Sequence, residues 1–144
     1  MKIYVIIDIN GNVLKFNEAA TNLFEYNIDN EHVNVMKLIH KDDYEHALNS
    51  FQQLQVTGFF KNYETRIFTK TGQVKWVHVN GSLIYDKHNN AIAAQGIVRD
   101  ITDIRNLEKQ KEKLLVKLEK SNDELQEYAH IVSHDLKSPL RNID

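Results

Sequence analysis

The sequence predicts an α+β fold in which a five-stranded antiparallel sheet carries short helices on one face and is followed by a long C-terminal coiled-coil helix. Apolar residues alternate or cluster in short runs as far as about residue 100, as they do in strands. From Ile101 onward they recur every three or four residues with many charges between them, as in an exposed amphipathic helix. The predicted order of two strands, short helices and three strands is typical of α+β domains.

A hairpin begins the chain. The segment from Ile3 to Asp8 predicts a strand, Asn10-Gly11-Asn12 predicts a tight turn, and Val13 to Phe16 predicts the returning strand. Asn17 follows directly and has a side chain suited to cap the first short helix.

A second helix and three strands come next. The helical pattern from Asp43 to Leu54 places apolar side chains on one side and ends near Thr57-Gly58. The turns between the later strands are predicted at Lys70-Thr71-Gly72 and at Lys87 to Asn90. The three strands are Phe59 to Phe68, Val74 to Tyr85 and Ala91 to Asp100.

Composition excludes several classes of protein. The chain has 144 residues and 18 Lys and Arg against 20 Asp and Glu, and this balance argues against nucleic acid as the main partner. The absence of cysteine excludes disulfides, zinc-thiolate sites, thiol nucleophiles and cysteinyl photoadducts, and it indicates a reduced, cytoplasmic location. The longest apolar run, Ile3 to Ile7, is far shorter than the ~20 residues of a membrane span, so we expect no membrane segment in this chain.

Residues 1 to 102 resemble a PAS domain. Six short segments carry the resemblance, in the order that is usual in the family: Val5-Ile6-Ile7-Asp8 with Asn10-Gly11, Phe16-Asn17-Glu18-Ala19, Leu23-Phe24-Glu25-Tyr26, Leu38-Ile39-His40-Lys41-Asp42-Asp43, Lys70-Thr71-Gly72 before Trp76-Val77, and Gly96-Ile97-Val98-Arg99-Asp100-Ile101-Thr102. The resemblance implies a sensor that holds haem, flavin or a small metabolite, or a module that serves dimerisation alone. The sequence does not identify the ligand.

Two histidines bear on the choice of ligand. Haem would need an axial histidine facing the cavity, and His46 is the nearest candidate, but the family pattern places Ala47 at that position. We therefore interpret His46 as a partly exposed polar residue. His40 belongs to the motif that starts the next helix, and we interpret it as a capping or packing residue.

The long helix carries a heptad pattern. Lys111 and Ser121 occupy two polar positions of the a/d seam, and the sparse apolar positions favour a parallel two-stranded coiled coil and therefore a homodimer. The alternative is one amphipathic helix folded back on the sheet. The apolar seam residues are Ile104, Leu107, Leu114, Leu118, Leu125, Tyr128 and Val132.

The end of the chain, Ser133-His134-Asp135-Leu136-Lys137-Ser138-Pro139-Leu140-Arg141, resembles the phosphoacceptor motif of sensor histidine kinases. The resemblance implies that His134 takes the γ-phosphoryl group of ATP, with Mg²⁺, and passes it to an aspartate on the receiver domain of a response regulator. Asp135 would orient the imidazole and accept its proton, and Lys137 would contact the phosphate. His130 precedes His134 by four residues, but no third ligand is evident, so we expect no metal site.

The predicted organisation is a PAS sensor domain at 1–102, a coiled-coil signalling helix at 103–127 and the start of a phosphotransfer helix at 128–144. We interpret the chain as a fragment that lacks the ATP-binding domain and is inactive alone. Asp100 and Thr102 lie where sheet becomes helix, and we expect Thr102 to cap the helix and both residues to relay a signal to His134. The alternative function is a non-enzymatic PAS dimerisation module, which an ATP-binding site encoded downstream would exclude.

Overall fold

The computed structural model describes the backbone of residues 2–143 and the side chains of residues 2–132. Five strands form an antiparallel sheet in the order β2-β1-β5-β4-β3. The strands are β1 (Ile3–Asp8), β2 (Val13–Phe16), β3 (Phe59–Phe68), β4 (Val74–Tyr85) and β5 (Ala91–Asp100).

Three short α-helices, one 3₁₀ turn and one long helix complete the fold, which confirms the predicted fold class of sheet, short helices and long C-terminal helix. They are α1 (Glu18–Phe24), α2 (Val35–Leu38), a 3₁₀ turn (Lys41–Asp43), α3 (Tyr44–Thr57) and α4 (Thr102–Ile143). The chain divides into two compact units, Met1–Asp103 and Ile104–Asp144. Across the part that the structure describes, no helix is both long and apolar enough to cross a membrane.

Asn17 caps α1, as the sequence predicts. Its side-chain oxygen accepts hydrogen bonds from the Ala20 amide at 2.9 Å and from the Tyr4 amide at 3.1 Å, so the cap also ties the helix to β1. The other end of α1 is Glu25, whose φ of 67° is the left-handed conformation that helix ends most often give to glycine. The Glu25 carboxylate accepts from the Thr71 hydroxyl and amide, which holds this turn against the β3–β4 turn.

The core lies between one face of the sheet and the short helices. Register places Val5 opposite Gly96, and Val79 opposite Val98, so alternate residues of neighbouring strands point to the same side. Val77 and Thr65 are the largest fully buried side chains. The buried cluster comprises Ile3, Val5, Val13, Ala20, Leu23, Phe24, Val33, Leu38, Ile67, Val77 and Val98.

Candidate functional site

A cavity of about 120 Å³ lies between the inner face of the sheet and the helices of the first unit. An engineered cavity of about 150 Å³ holds benzene, so the space suits a molecule of about that size. Pockets for larger ligands and cofactors have volumes of about 300 Å³ or more, which is well above this value. The lining is mostly aliphatic and aromatic and includes Val5, Ile7, Phe16, Phe24, Leu38, Ala47, Phe51, Leu54, Phe60, Tyr63, Thr65, Ile67, Val77, Val79, Ala94 and Val98.

Phe60 packs against the backbone of β4 at one part of this lining. A Cβ atom on Gly81 would meet the Phe60 ring at 2.6 Å, so only glycine allows the ring to lie so close to the strand. Phe60 is also in edge contact with Tyr63, their ring centroids 5.7 Å apart. Between them β3 is bulged, with Asn62 at a φ of 57°, and this irregularity lets both aromatic rings line the cavity.

Tyr63 carries a buried hydroxyl with an unmet hydrogen bond. The residue is 9% exposed, and its hydroxyl has no partner at hydrogen-bonding distance and angle among the residues whose side chains are described. Burial raises the pKa of the Tyr63 phenol, so at neutral pH the hydroxyl keeps its proton. An unpaired buried hydroxyl costs about 1–3 kcal/mol.

Asp43 and Arg66 join the start of α3 to the sheet. The Asp43 carboxylate accepts from the Arg66 backbone amide at 2.8 Å, from Nη2 at 2.9 Å and from Nε at 3.1 Å. These hydrogen bonds lower the pKa of Asp43, and the same pair raises the pKa of Arg66. The Arg66 guanidinium also lies 5.4 Å from the centre of the Trp76 ring. α3, which supplies one wall of the cavity, is thereby fixed to β3.

The histidines near the cavity have the roles expected from the sequence. His40 Nδ1 accepts from the Asp42 amide at 3.2 Å, and its ring stacks on Phe68 with centroids 4.9 Å apart, so the residue both caps and packs. Ala47 lines the cavity, whereas His46 is exposed and packs on the Tyr63 ring at 4.8 Å. The lining contains neither imidazole nor thiolate, so it does not fit the axial ligation of haem.

The junction between β5 and α4 is held by side-chain hydrogen bonds. Asp100 Oδ1 accepts from the Thr102 amide at 3.0 Å and from the Thr102 hydroxyl at 2.6 Å. The Thr102 hydroxyl oxygen accepts in turn from the Trp76 amide on β4 at 3.0 Å. We expected Thr102 to supply the cap, but Asp100 is the acceptor for the first helical amide. Thr102 instead joins the start of the helix to the sheet.

The predicted seam of α4 is exposed along its described length. Its seven apolar members are between 37% and 67% exposed. Leu115 and Val116 are exposed as well, at 50% and 59%, although they lie off the seam. The coiled coil and the homodimer therefore stay predictions that this surface permits.

The predicted phosphoacceptor residues lie outside the part of the chain whose side chains are described. The backbone of α4 continues through His134, Asp135 and Lys137. His130, the preceding histidine, is described and exposed. Within the described part of the chain, no group of three His, Cys, Asp or Glu residues is arranged to hold a metal ion.

Tyr63 and the Asp43–Arg66 pair were not identified as site residues from the sequence. A signal for Tyr63 exists, because Tyr63, Thr65 and Ile67 alternate along β3 and all face inward. That pattern places the ring on the cavity wall. The pairing of Asp43 with Arg66 brings together residues 23 positions apart, which no local pattern indicates.

Comparison with known proteins agrees with this geometry. The family described as "PAS domain" matches residues 2–103, so the chain belongs to the PAS domain family. A PAS domain structure from Colwellia psychrerythraea is similar, with 25% identity and a TM-score of 0.64 over 71% of this chain and 87% of that chain. The search of curated proteins returned no match.

Two further solved structures show the same fold at lower identity. A sensory box histidine kinase/response regulator from Burkholderia thailandensis E264 has 16% identity and a TM-score of 0.65, over 83% of this chain and 91% of that chain. A PAS domain from a two-component sensor histidine kinase has 17% identity and a TM-score of 0.58, over 69% and 84%. The first unit is thus a PAS domain, and structures of similar fold include domains of sensor histidine kinases.

Proposed function

We propose that this chain is the sensory and dimerisation part of a two-component sensor histidine kinase. The observation that supports the proposal most directly is that a single 42-residue helix begins two residues after the end of β5, the central strand of the PAS sheet, and carries the phosphoacceptor-like motif. One continuous helix therefore leads from the end of the sheet to the proposed acceptor residue.

The sensing step begins in the cavity. A ligand there contacts the inner face of β5 and β4, and the last residue of β5, Asp100, holds the first amide of α4. Thr102 joins that same point to β4 through the Trp76 amide. We propose that strain in the sheet changes the tilt or rotation of the helix start through these bonds.

The connecting segment, residues 103–127, forms a parallel coiled coil with a second copy in this proposal. The exposed seam residues have apolar area that a partner helix would bury, at about 25 cal/mol per Å². Lys111 and Ser121 interrupt the seam with polar groups, which fix register and lower stability. A marginally stable coiled coil suits a connector that has to change between two arrangements.

The chemistry takes place at His134, in the segment 128–144. A neutral imidazole attacks the γ-phosphorus of Mg²⁺-bound ATP, so a P–N bond forms while the bond to the β-phosphate oxygen breaks and ADP leaves. Asp135 accepts the ring proton and orients the imidazole, and Lys137 offsets phosphoryl charge. The phosphoryl group then passes to an aspartate of a receiver domain. Such a partner implies a cytoplasmic location, and the ATP-binding domain is supplied by a part of the kinase outside this sequence.

The test is phosphorylation of the kinase polypeptide that contains this chain and an ATP-binding domain. His134→Gln abolishes acid-labile phosphate from labelled ATP because the nucleophile is lost. The matched control is His130→Gln, which changes an exposed histidine four residues earlier on the same helix and leaves labelling within about twofold of wild type.

Acid-labile phosphate that persists in the His134 variant contradicts the proposal. Equal loss in both variants also contradicts it, because that outcome would mean that the helix and not the nucleophile has been damaged. A polypeptide with no ATP-dependent labelling at all supports a PAS dimerisation module without enzymatic activity.

A further inference from the structure

The wall of the PAS cavity is almost entirely carbon. Polar atoms contribute only a trace of the surface that faces the cavity, and none of the lining residues is charged. An ionised ligand would therefore lose its hydration without gaining a counter-ion, so the cavity selects a neutral molecule. Its volume of about 120 Å³ limits that molecule to about the size of benzene.

Four lining residues have polar side chains, and two of these are bonded to other groups of the protein. The Ser50 hydroxyl donates to the His46 carbonyl in the same helix at 3.1 Å. The Gln95 amide accepts from the Tyr4 hydroxyl and donates to the Ser82 hydroxyl. Ser50 and Gln95 thus direct their hydrogen bonds to the protein.

The other two polar side chains are covered. Thr65 is 1% exposed, and its hydroxyl lies 3.4 Å from both the Asp43 carboxylate and the Arg66 carbonyl. The Tyr63 hydroxyl oxygen has almost no accessible surface, so no ligand atom can come within hydrogen-bonding distance of it. Tyr63 therefore contributes the carbon atoms of its ring to the lining.

The backbone around the cavity is also paired. β1, β5 and β4 each have a neighbouring strand on both sides, so hydrogen bonds of the sheet use their N–H and C=O groups. The lining residues from α3 lie in a helix that bonds its own backbone. A polar atom of a ligand would lose its hydrogen bonds to water and find no replacement.

We infer that the cavity binds a small molecule of about the size of benzene that has no hydrogen-bonding group, such as a hydrocarbon, and that it discriminates against polar molecules of the same shape. Binding is driven by removal of the apolar surface of the ligand from water. Water competes weakly because it gains no hydrogen bonds from this lining. The inference rests on the proposed function in that the cavity is taken as the sensory site.

The test uses benzene and pyridine, two probes of nearly equal shape that differ in having a CH group or a nitrogen at one ring position. Binding of each to the 144-residue chain is measured by ligand-observed NMR titration in mildly alkaline buffer, in which pyridine is uncharged. We expect benzene to bind with a Kd below about 1 mM. Pyridine should bind at least about tenfold more weakly, because its nitrogen gives up a hydrogen bond to water and gains none.

Two matched substitutions establish where benzene binds. Ala47 is 1% exposed and lines the cavity, so Ala47→Leu fills part of the space and is expected to abolish binding. Ala91→Leu makes the same change at an exposed position at the start of β5 and should leave the Kd within about twofold of wild type. The thermal unfolding midpoint verifies that each variant is folded. If Ala47→Leu does not fold, the smaller Ala47→Val replaces it and should weaken benzene binding about fivefold or more.

Three outcomes overturn the inference. Absence of saturable benzene binding to wild type at millimolar concentration removes the ligand class. Pyridine that binds as tightly as benzene removes it as well, because a polar partner would then have to face the cavity. Unchanged benzene binding in a folded Ala47 variant shows that the probe lies elsewhere.

These failures are distinct from failure of the proposed function. Phosphorylation of His134 is measured without either probe, so it would stand if benzene did not bind. Selective binding of benzene in the cavity would likewise stand if His134 were never phosphorylated.

Discussion

Asp43 links the start of α3 to β3 with one carboxylate. It accepts from the Arg66 amide and from two guanidinium nitrogens, all within 3.1 Å, and its side chain is 17% exposed. These hydrogen bonds lower the pKa of Asp43, with the Arg66 side chain as the largest cause. The position of α3, and with it one wall of the cavity, therefore depends on an ionised Asp43.

Replacing Asp43 by asparagine should lower the free energy of unfolding at pH 7 by about 2 kcal/mol, since hydrogen bonds to a charged group are lost. The pKa of Asp43 in the folded protein lies below its ordinary value of 3.8, so the stabilisation is fully present above pH 3.8. This stabilisation is lost as the pH falls below 3.8 and then below the lower pKa that Asp43 has in the folded protein. Urea unfolding should be measured at pH values from 7 down to 3. The difference in the free energy of unfolding between wild type and Asp43→Asn should become smaller as the pH falls.

Asp42→Asn is the matched control. Asp42 is adjacent in sequence, but its side chain is 72% exposed and its nearest carboxylate oxygen is 3.9 Å from Arg66. A pair of this kind contributes about 0.5 kcal/mol or less. Equal destabilisation by the two substitutions, or a gap for Asp43→Asn that stays constant between pH 7 and pH 3, would show that the charge of Asp43 is not the cause.

Sequence reasoning placed some individual residues of the site and not others. The roles of Asn17 and His40 were predictable because capping depends on a side chain and on amides two or three residues away. The burial of the Tyr63 hydroxyl was not predictable, because it depends on which side chains pack around it in the core. The chemistry of a side chain determines which hydrogen bonds it can form, and tertiary packing determines which of these form.

The strands and α3 were predicted close to their observed bounds because their signals are local. Alternating apolar residues bounded by turns define β3, β4 and β5, and Gly58 ends α3 with a φ of 85°. The central place of β5 in the sheet has no such signal, since it depends on pairing Ile3 with Val98 across most of the domain. Periodicity alone does not indicate that arrangement.

The first turn of α4 connects the sheet to the rest of the long helix. Asp100→Ala should remove the acceptor for the Thr102 amide and cost about 0.5–2 kcal/mol locally, which is the range for a lost helix cap. Hydrogen exchange of the Thr102 amide should then accelerate about fivefold or more. The amides of β1 and β5 should keep their protection, because a loss of this size is too small to unfold the domain.

Asp103→Ala serves as the control for that substitution. Asp103 is an exposed acidic residue in the same first turn, where its charge interacts with the helix dipole. It should change exchange of the Thr102 amide by less than Asp100→Ala does. If Asp103→Ala has the larger effect, or if Asp100→Ala has none, Asp100 does not hold the helix start and the proposed relay through Asp100 and Thr102 is wrong.

The two compact units differ in how much of their apolar surface is buried. The PAS unit buries its own core, whereas α4 keeps the apolar side chains of its described part exposed. A helix of this composition is stable in water when its apolar stripe is covered. Pairing of two α4 helices in parallel accounts for the heptad spacing of Leu107, Leu114, Leu118 and Leu125, and it would bring two copies of the proposed acceptor helix side by side.

Disulfide cross-linking measures this pairing directly, because the natural chain contains no cysteine. Leu114→Cys places one thiol on the seam, and Val116→Cys places one on an exposed position off the seam that is otherwise similar. A parallel, in-register coiled coil predicts rapid formation of a covalent dimer by Leu114→Cys under mild oxidation and little by Val116→Cys. A Leu114→Cys variant that remains monomeric, or one that cross-links no faster than Val116→Cys, would contradict the parallel dimer and the route from sensor to His134 that depends on it.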